Sequence, residues 1–429
     1  MQLSKTDACS LRKALTLATA ALLASPVAAE NNGVELQFGQ LYYSERDRVD
    51  VNTSQVSLKK TLQDGDVLKL GFTYDAMTGA SPNGRLIPLA TQNQPVPITT
   101  ASGFSFSTQA GKTASTKAIW LTEFKDTRRA GTLDWEHALS RDIAFVIGGN
   151  LSRELDYNSL GATTTVNADF NDKRTTMSLG ASISQDLVDP RGGIPNGLGV
   201  TACGASTSAY QPTWINCGGM PTRYKAGEKI SNSFFLGTTQ VWNRQTLAQV
   251  TFTHTIADGY LTDPYKQLSV THDSFGGEIA VVYEKRPSQR SSNSVFLKTV
   301  HTLGNRSINS SYRFFWDDWG IKAHTFDFHA RLDLDSQWYV QPHARFSIQS
   351  DADFFTTHLK AESNKPNFAS ADHRLSDQTT VTIGLKAGVR FNKLALLALR
   401  IEKMNQQYRS ANLPNLEAWI VQMTFQNEF

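Results

Sequence analysis

The chain is poor in cysteine, carries no surplus of either charge, and after its first residues has no apolar run near the ~20 residues a membrane-spanning helix needs. Each shortage excludes something. Net charge is +3, much of it held by Lys5, Arg12 and Lys13, and no basic stripe suggests nucleic acid. There is no G-x-S-x-G nucleophile elbow, no Gly-Lys-Ser/Thr phosphate loop and no D-x-[DN]-x-[DN]-G calcium loop. Of three cysteines, Cys9 lies upstream of an apolar leader and leaves with it. Cys203 and Cys217 stand in ACGASTSAYQPTWINCGG, where neither a histidine nor a third cysteine completes a metal site. Oxidation to a disulfide is the expectation in an exported chain, contributing about 3 kcal/mol by chain entropy.

Export is read from the N-terminus. Cationic Lys5, Arg12 and Lys13 precede ALTLATAALLASPVAA, and Val27-Ala28-Ala29 supplies small residues for cleavage. Residues 1–29 are thus expected to be a signal peptide and 30–429 a single outer-membrane barrel domain.

Alternation with period two dominates the rest. In QWYVQPHARFSIQ one face carries Trp338, Val340, Ala344, Phe346 and Ile348, and the other Gln341, His343, Arg345 and Ser347. HTFDFHARLDL sets Phe326, Phe328 and Ala330 against Asp327, His329 and Arg331, and AQVTFTHTI sets Val250, Phe252 and Ile256 against a threonine column. Further candidate strands are Val34–Tyr43, Val51–Leu62, Val67–Ala76, Ile119–Phe124, Thr132–Leu139, Ile143–Tyr157, Thr175–Leu187, Ser231–Trp242, Glu278–Glu284, Ser294–Thr302, Ile308–Trp316, Thr379–Phe391, Leu394–Met404 and Leu416–Phe429. Most are close to the ~10 residues of a tilted transmembrane strand, and an even-numbered barrel reduces about 17 candidates to about 16. The fold class is therefore all-β, a transmembrane antiparallel barrel. Arginine and aspartate in mid-strand suit a watered lumen, since unpaired charge is costly in a dry core. In LEAWIVQMTFQNEF, Trp419, Val421, Met423, Phe425 and Phe429 share a face, like the C-terminal strand by which outer-membrane assembly machinery recognises its substrates. Short turns at Asp64-Gly65, Ser140–Asp142, Asn243–Gln245 and Asn392 do not all fall on one side of this strand assignment. The longest loops are Met77–Ser115, Val188–Lys229 and Asp351–Asp377.

Several stretches invite chemistry. His329 and His343 face inward on adjacent strands beside Asp327, Arg331 and Arg345, an arrangement read as a solvated charge network. Asp317-Asp318, Asp351 with Asp353, and Asp263 could hold a hard cation, but ion pairs with Arg313, Lys266 and Arg286 bracing strand ends are the favoured reading. TGASPNG is turn chemistry: Pro82 restricts its own φ and biases Ser81 toward extended backbone, and Asn83-Gly84 accepts positive φ. Alternation places Phe72 and Tyr74 toward lipid and Asp75 inward.

The chain resembles the bacterial domain of unknown function 3570 family, whose members look like exported outer-membrane β-barrels. The likeness rests on YYSERDRV, YDAMTGASPNG, RELDYNSLG, DGYLTDPYK, YEKRPSQR, SYRFFWDDWGI, QSDADFF and SADHRLS, in order along the mature chain. Phe314 and His373 each stand where the family pattern carries tyrosine. The resemblance implies architecture and location, supplies no reaction, and marks the charged motif residues Arg46, Arg48, Asp75, Asp263, Lys266, Glu284, Arg286, Arg290, Arg313, Asp317, Asp318, Asp351 and Asp353 as a lumenal network.

The expectation is a non-enzymatic outer-membrane channel or transport component with a mixed-charge lumen. It would need no cofactor or metal, contact outer-membrane lipid, and meet the assembly machinery through the strand ending at Phe429. The alternatives are a plugged scaffold for a periplasmic partner, and an enzyme or cation site on Asp263, Asp317 and Asp318.

Overall fold

The computed structural model describes residues 33–62, 65–86, 96–99, 105–108, 119–203, 213–219, 221–272, 278–392, 394–410 and 413–429. The expected signal peptide lies outside them, as does Asp64. Sixteen antiparallel strands close into a barrel. They are β1 (Val34–Glu45), β2 (Val49–Thr61), β3 (Val67–Leu86), β4 (Ile119–Ala138), β5 (Ile143–Arg153), β6 (Tyr157–Phe170), β7 (Thr175–Val188) and β8 (Gly227–Asn243). The second half is β9 (Thr246–Gly259), β10 (Gln289–Leu303), β11 (Arg306–Asp317), β12 (Lys322–Asp333), β13 (Trp338–Gln349), β14 (Gln378–Arg390), β15 (Ala395–Tyr408) and β16 (Leu416–Glu428). Each strand pairs with its sequence neighbour, and β1 pairs with β16 from Glu35↔Glu428 to Glu45↔Ala418.

The pleat sorts side chains as the alternation requires. On β3, Phe72 is 53% exposed and Tyr74 37%, while Asp75, the next residue of the same strand, is 5% exposed. Leu133 and Trp135 on β4, Ile147 and Leu151 on β5, and Phe326 and Phe328 on β12 continue this outer apolar row. A closed sheet satisfies every strand's backbone groups internally, and an apolar outer belt is stable only against hydrocarbon. The fold is that of a membrane-spanning barrel.

Four strand assignments change. Val67–Ala76 runs on to Leu86, so TGASPNG, expected as a turn leaving the strand, lies within β3, with positive φ at Gly79 and Gly84. Ile119–Phe124 and Thr132–Leu139 are one strand, β4, paired with β3 from Val67↔Glu136 to Leu86↔Ile119. Ile143–Tyr157 is two: a tight turn at 154–156 starts β6, whose Leu160 and Val166 alternate among small residues. Glu278–Tyr283 is not in the barrel; it belongs to a separate four-stranded sheet. These corrections resolve the turns. The connections 62–66, 139–142, 171–174, 244–245, 304–305, 334–337 and 391–394 all lie at one end, with Gly33 and Phe429. The long connections, which follow β3, β7, β9 and β13, leave the barrel from the other.

Segments of three long loops build that extra sheet, in the order Val200–Cys203, Glu278–Tyr283, Gln267–Thr271, Leu359–Lys360. Leu268, Val270, Ile279, Ala280 and Val282 are buried within it and pack on Leu198, Ile215, Ala369 and Ala371. Cys203 and Cys217 are joined by a disulfide, Cα–Cα 5.9 Å, that ties the loop of the first strand to itself.

Candidate functional site: a cap across the mouth of the barrel

The loop sheet is anchored to the barrel at two places. On one side Lys266, 6% exposed, directs its Nζ to the carbonyl oxygen of Pro82, 2.5 Å, at the end of β3. Next to it Arg85 makes a forked pair with Glu278 (Nη2–Oε1 2.6 Å, Nε–Oε2 3.2 Å). Gly84 allows this approach: at φ +91°, an added Cβ would lie 2.2 Å from the Gln267 carbonyl oxygen. On the other side Leu375 packs with Trp319, Ile321 and Ala352 against Phe315 of β11. Gln349 of β13 donates from Nε2 to the carbonyls of Arg374 and Ser376 (3.0 and 3.2 Å). β3 and β11 stand at opposite points of the ring, so the folded loops bridge the mouth from wall to wall.

Buried charge joins the two anchors. Glu284 and Asp372 are both 0% exposed. Arg286 lies between them, with Nε 2.7 Å from Glu284 Oε1 and Nη2 2.7 Å from Asp372 Oδ2. Glu284 also accepts from Ser370 Oγ and, at 2.7 Å, from the Asp263 backbone N–H. Arg374 grips Asp372 through Nε and Nη2 and reaches Asp263 Oδ2 at 3.0 Å. Burial raises the Glu284 carboxyl more than Arg286 lowers it. Burial would raise Asp372 as well, but Lys266, Arg374 and Arg286 outweigh it and hold this carboxyl far below the usual range. Burial, helped by Lys266, pushes His373 down to about 4, leaving a neutral ring set edge-on against Tyr408 of β15.

Below the cap a cavity of about 440 Å³ is lined by Arg286, Arg374 and Asp372 from the loops and by Arg290, Arg313 and Gln349 from the wall. Arg290 pairs with Asp317 Oδ2 at 2.5 Å and lies 4.6 Å from the Trp319 ring centre. The expectation that Arg313 would partner an aspartate of this motif is corrected here: its guanidinium stacks on Phe315 at 5.5 Å, because Arg290 on the adjacent strand is in reach of Asp317 first. Asp317 Oδ1 accepts from Trp319 and Ile321 N–H, and Asp318 Oδ1 from Ser291 N–H, so both aspartates brace the 318–321 turn. Asp353 and Asp351 are exposed; Asp353 N–H donates to the Trp319 carbonyl at 2.8 Å. Arg46 N–H meets the Glu417 carbonyl, and Arg48 Nη2 the Pro414 carbonyl at 3.1 Å, at the turn beside the β1–β16 seam. Asp75 lies lower on the inner wall, accepting from Thr53 Oγ1 and Arg128 Nε, both at 2.6 Å.

The marked residues thus divide. Asp263, Lys266, Glu284 and Arg286 are cap residues; Arg290 and Arg313 line the cavity beneath, with Asp317 holding Arg290; Asp75 is separate; Asp318, Arg46, Arg48 and Asp353 make their contacts at turns, and Asp351 is exposed. Alternation could not reveal Arg85, Glu278, Asp372 or Arg374 as partners, although Asp372 and Arg374 lie in the SADHRLS motif.

The class defined by this architecture is an outer-membrane-type β-barrel whose mouth is spanned by its own folded loops. The chain belongs to the family described as protein of unknown function (DUF3570), whose model matches residues 11–425. No curated relative matches the sequence. Among solved structures, the chain is similar to a bacterial polysaccharide outer membrane secretin (10% identity, TM-score 0.47, covering 94% of this chain and 100% of that one). It is similar also to OccK5 (OpdH) of Pseudomonas aeruginosa (8%, 0.41, 92% and 97%) and to the toluene transporter TodX of Pseudomonas putida (9%, 0.39, 96% and 93%). Each likeness is one of general barrel shape.

Proposed function

We propose that the protein is a passage across the outer membrane for a small polar or charged solute, held closed at rest by the cap. The observation that carries this reading is the bridge from Pro82–Lys266 on the β3 side to Leu375 on the β11 side. A barrel of this strand number encloses an aqueous channel unless loops fill it, and here the loops meet over an inner wall of ionised pairs: Asp75 with Arg128, Asp186 with Lys229, Arg290 with Asp317. Solutes of either sign would find partners along such a wall. The short-turn end would face the periplasm and the cap the exterior. Embedding in lipid, entry through the assembly machinery and a leader removed after Ala29 complete the proposal.

Conductance of the refolded protein in planar bilayers tests it. Wild type should be quiet, and variants that release the cap, Lys266→Ala or Arg286→Ala, should open discrete current steps. A barrel that stays silent when protease shows the cap released would instead support the plugged scaffold.

A further inference from the structure

A second cavity, about 570 Å³, lies along the inner wall formed by β1, β2 and β12–β16. Into it project Asp327, His329 and His343, whose ligand atoms all lie within 4.8 Å of one another. His329 Nε2 is 2.7 Å from Asp327 Oδ1, and His343 Nε2 is 3.2 Å from Asp327 Oδ2. The two imidazoles, directly paired across β12 and β13, are stacked with centres 4.1 Å apart and planes at 10°. We propose that these three side chains form a site for a divalent transition-metal ion of the zinc class.

Three features support a built site. First, both ring nitrogens of His343 face carboxylates, Nε2 toward Asp327 and Nδ1 toward Glu402 Oε1 at 2.6 Å. A neutral ring has one proton for two acceptors, so one position must take a second proton or a cation. Second, a carboxylate on the far nitrogen of a metal-ligating histidine orients the ring and raises its basicity, and Glu402, 3% exposed, occupies that position. Third, Glu402 does not stand on the strand next to His343. The register runs His343↔Gly384↔Glu402, and Gly384 has no side chain to intervene; an added Cβ would lie 2.3 Å from Glu402 Cγ. The glycine of β14 therefore gives Glu402 its path to the histidine.

Two imidazole nitrogens and one carboxylate oxygen favour a borderline cation over calcium or magnesium, which take mostly oxygen. Three protein ligands leave coordination positions open toward the cavity. Arg345 and Arg400 line it and would suit an anionic co-ligand. The site stands whether or not the barrel is a passage, because binding is read on the folded protein without transport.

The test uses tag-free, refolded, chelator-stripped protein titrated with Zn²⁺ by calorimetry and with Co²⁺ by visible absorption. One equivalent should bind, with affinity at least tenfold weaker in His329→Ala, and about 10- to 100-fold weaker in Glu402→Gln and Gly384→Ala. Heat-modifiable gel migration confirms that each variant is a folded barrel, and His343→Gln serves if another does not fold. Substoichiometric binding by wild type, unchanged affinity in the folded histidine variants, or displacement of Zn²⁺ by equimolar Ca²⁺ would overturn the proposal.

Discussion

Arg286 donates from Nη2 to Asp372 Oδ2 at 2.7 Å, inside the cap, where the Asp372 side chain is wholly shielded from solvent and the Arg286 side chain is 11% exposed. Removing the guanidinium would leave Glu284, wholly buried, without its ion-pair partner, beside Asp372, which Arg374 would still hold. Loss of one partner from a buried ionic pair costs about 3–5 kcal/mol. Arg286→Ala should therefore release the cap while the barrel keeps its heat-modifiable migration, seen as new protease cleavage within 260–288 and 350–377. Arg286→Met, which fills the volume without the charge, should release it as well.

The cap should loosen on acidification, and His373 sets the window. Its ring is held neutral, with its folded value lowered to about 4 from an ordinary value near 6.5. An unfolded cap therefore binds a proton over that interval that the folded one refuses. Stability from this group is complete above about pH 6.5 and is lost as pH falls toward about 4. Glu284 acts in the opposite sense, since its raised carboxyl makes the folded cap more tolerant of protonation. Proteolysis of the cap measured from pH 7 to pH 4 should rise in wild type and rise less in His373→Gln; equal slopes would dismiss the role of His373.

Arg128→Ala should weaken the barrel wall itself. It leaves the Asp75 carboxylate, 8% exposed, with Thr53 as its remaining partner of this pair. An under-satisfied buried acceptor costs about 1–3 kcal/mol, the lower part of the range applying because Arg128 is 41% exposed. The unfolding temperature read by gel migration should drop in Arg128→Ala and recover largely in the double variant Arg128→Ala/Asp75→Ala.

Gly84→Ala tests the close approach of the cap to β3. A left-handed backbone costs a non-glycine residue about 1–2 kcal/mol, and the new Cβ would also overlap the Gln267 carbonyl. The variant should release the cap on the β3 side, with protease cleavage near 267–271. Gly65→Ala, also at positive φ but with open space around it, should leave the cap intact and is the control.

Alternation made the barrel legible wherever the outer row was strongly apolar. Phe326 and Phe328, or Phe72 and Tyr74, declare their faces, and Asp75 follows. It lost β6 because YNSLGATTTVNADF alternates small residues with threonine, and it broke β4 because Lys125, Thr127 and Arg129 interrupt the outer row. Glu278–Tyr283 carried a usable sign: IAVV is continuous rather than alternating, and all four residues are buried, as in a strand covered on both faces. The cap's partners had no such sign. Lys266 meets Pro82, and Arg286 meets Asp372, through loop packing that no local period encodes.

The pairing of β1 with β16 bears on how such a molecule is made. Its rows run from Glu35↔Glu428 to Glu45↔Ala418, and Phe429 N–H reaches the Val34 carbonyl at 2.8 Å. Every other barrel pairing joins strands adjacent in sequence, so this single row is the one whose loop closure encompasses nearly the whole chain. Until it forms, two bare strand edges face the membrane or each other's wrong partners, and an edge without hydrogen bonds is both costly in lipid and a template for mispairing. The assembling chain must therefore have its first strand guarded from the moment it arrives until its last one does.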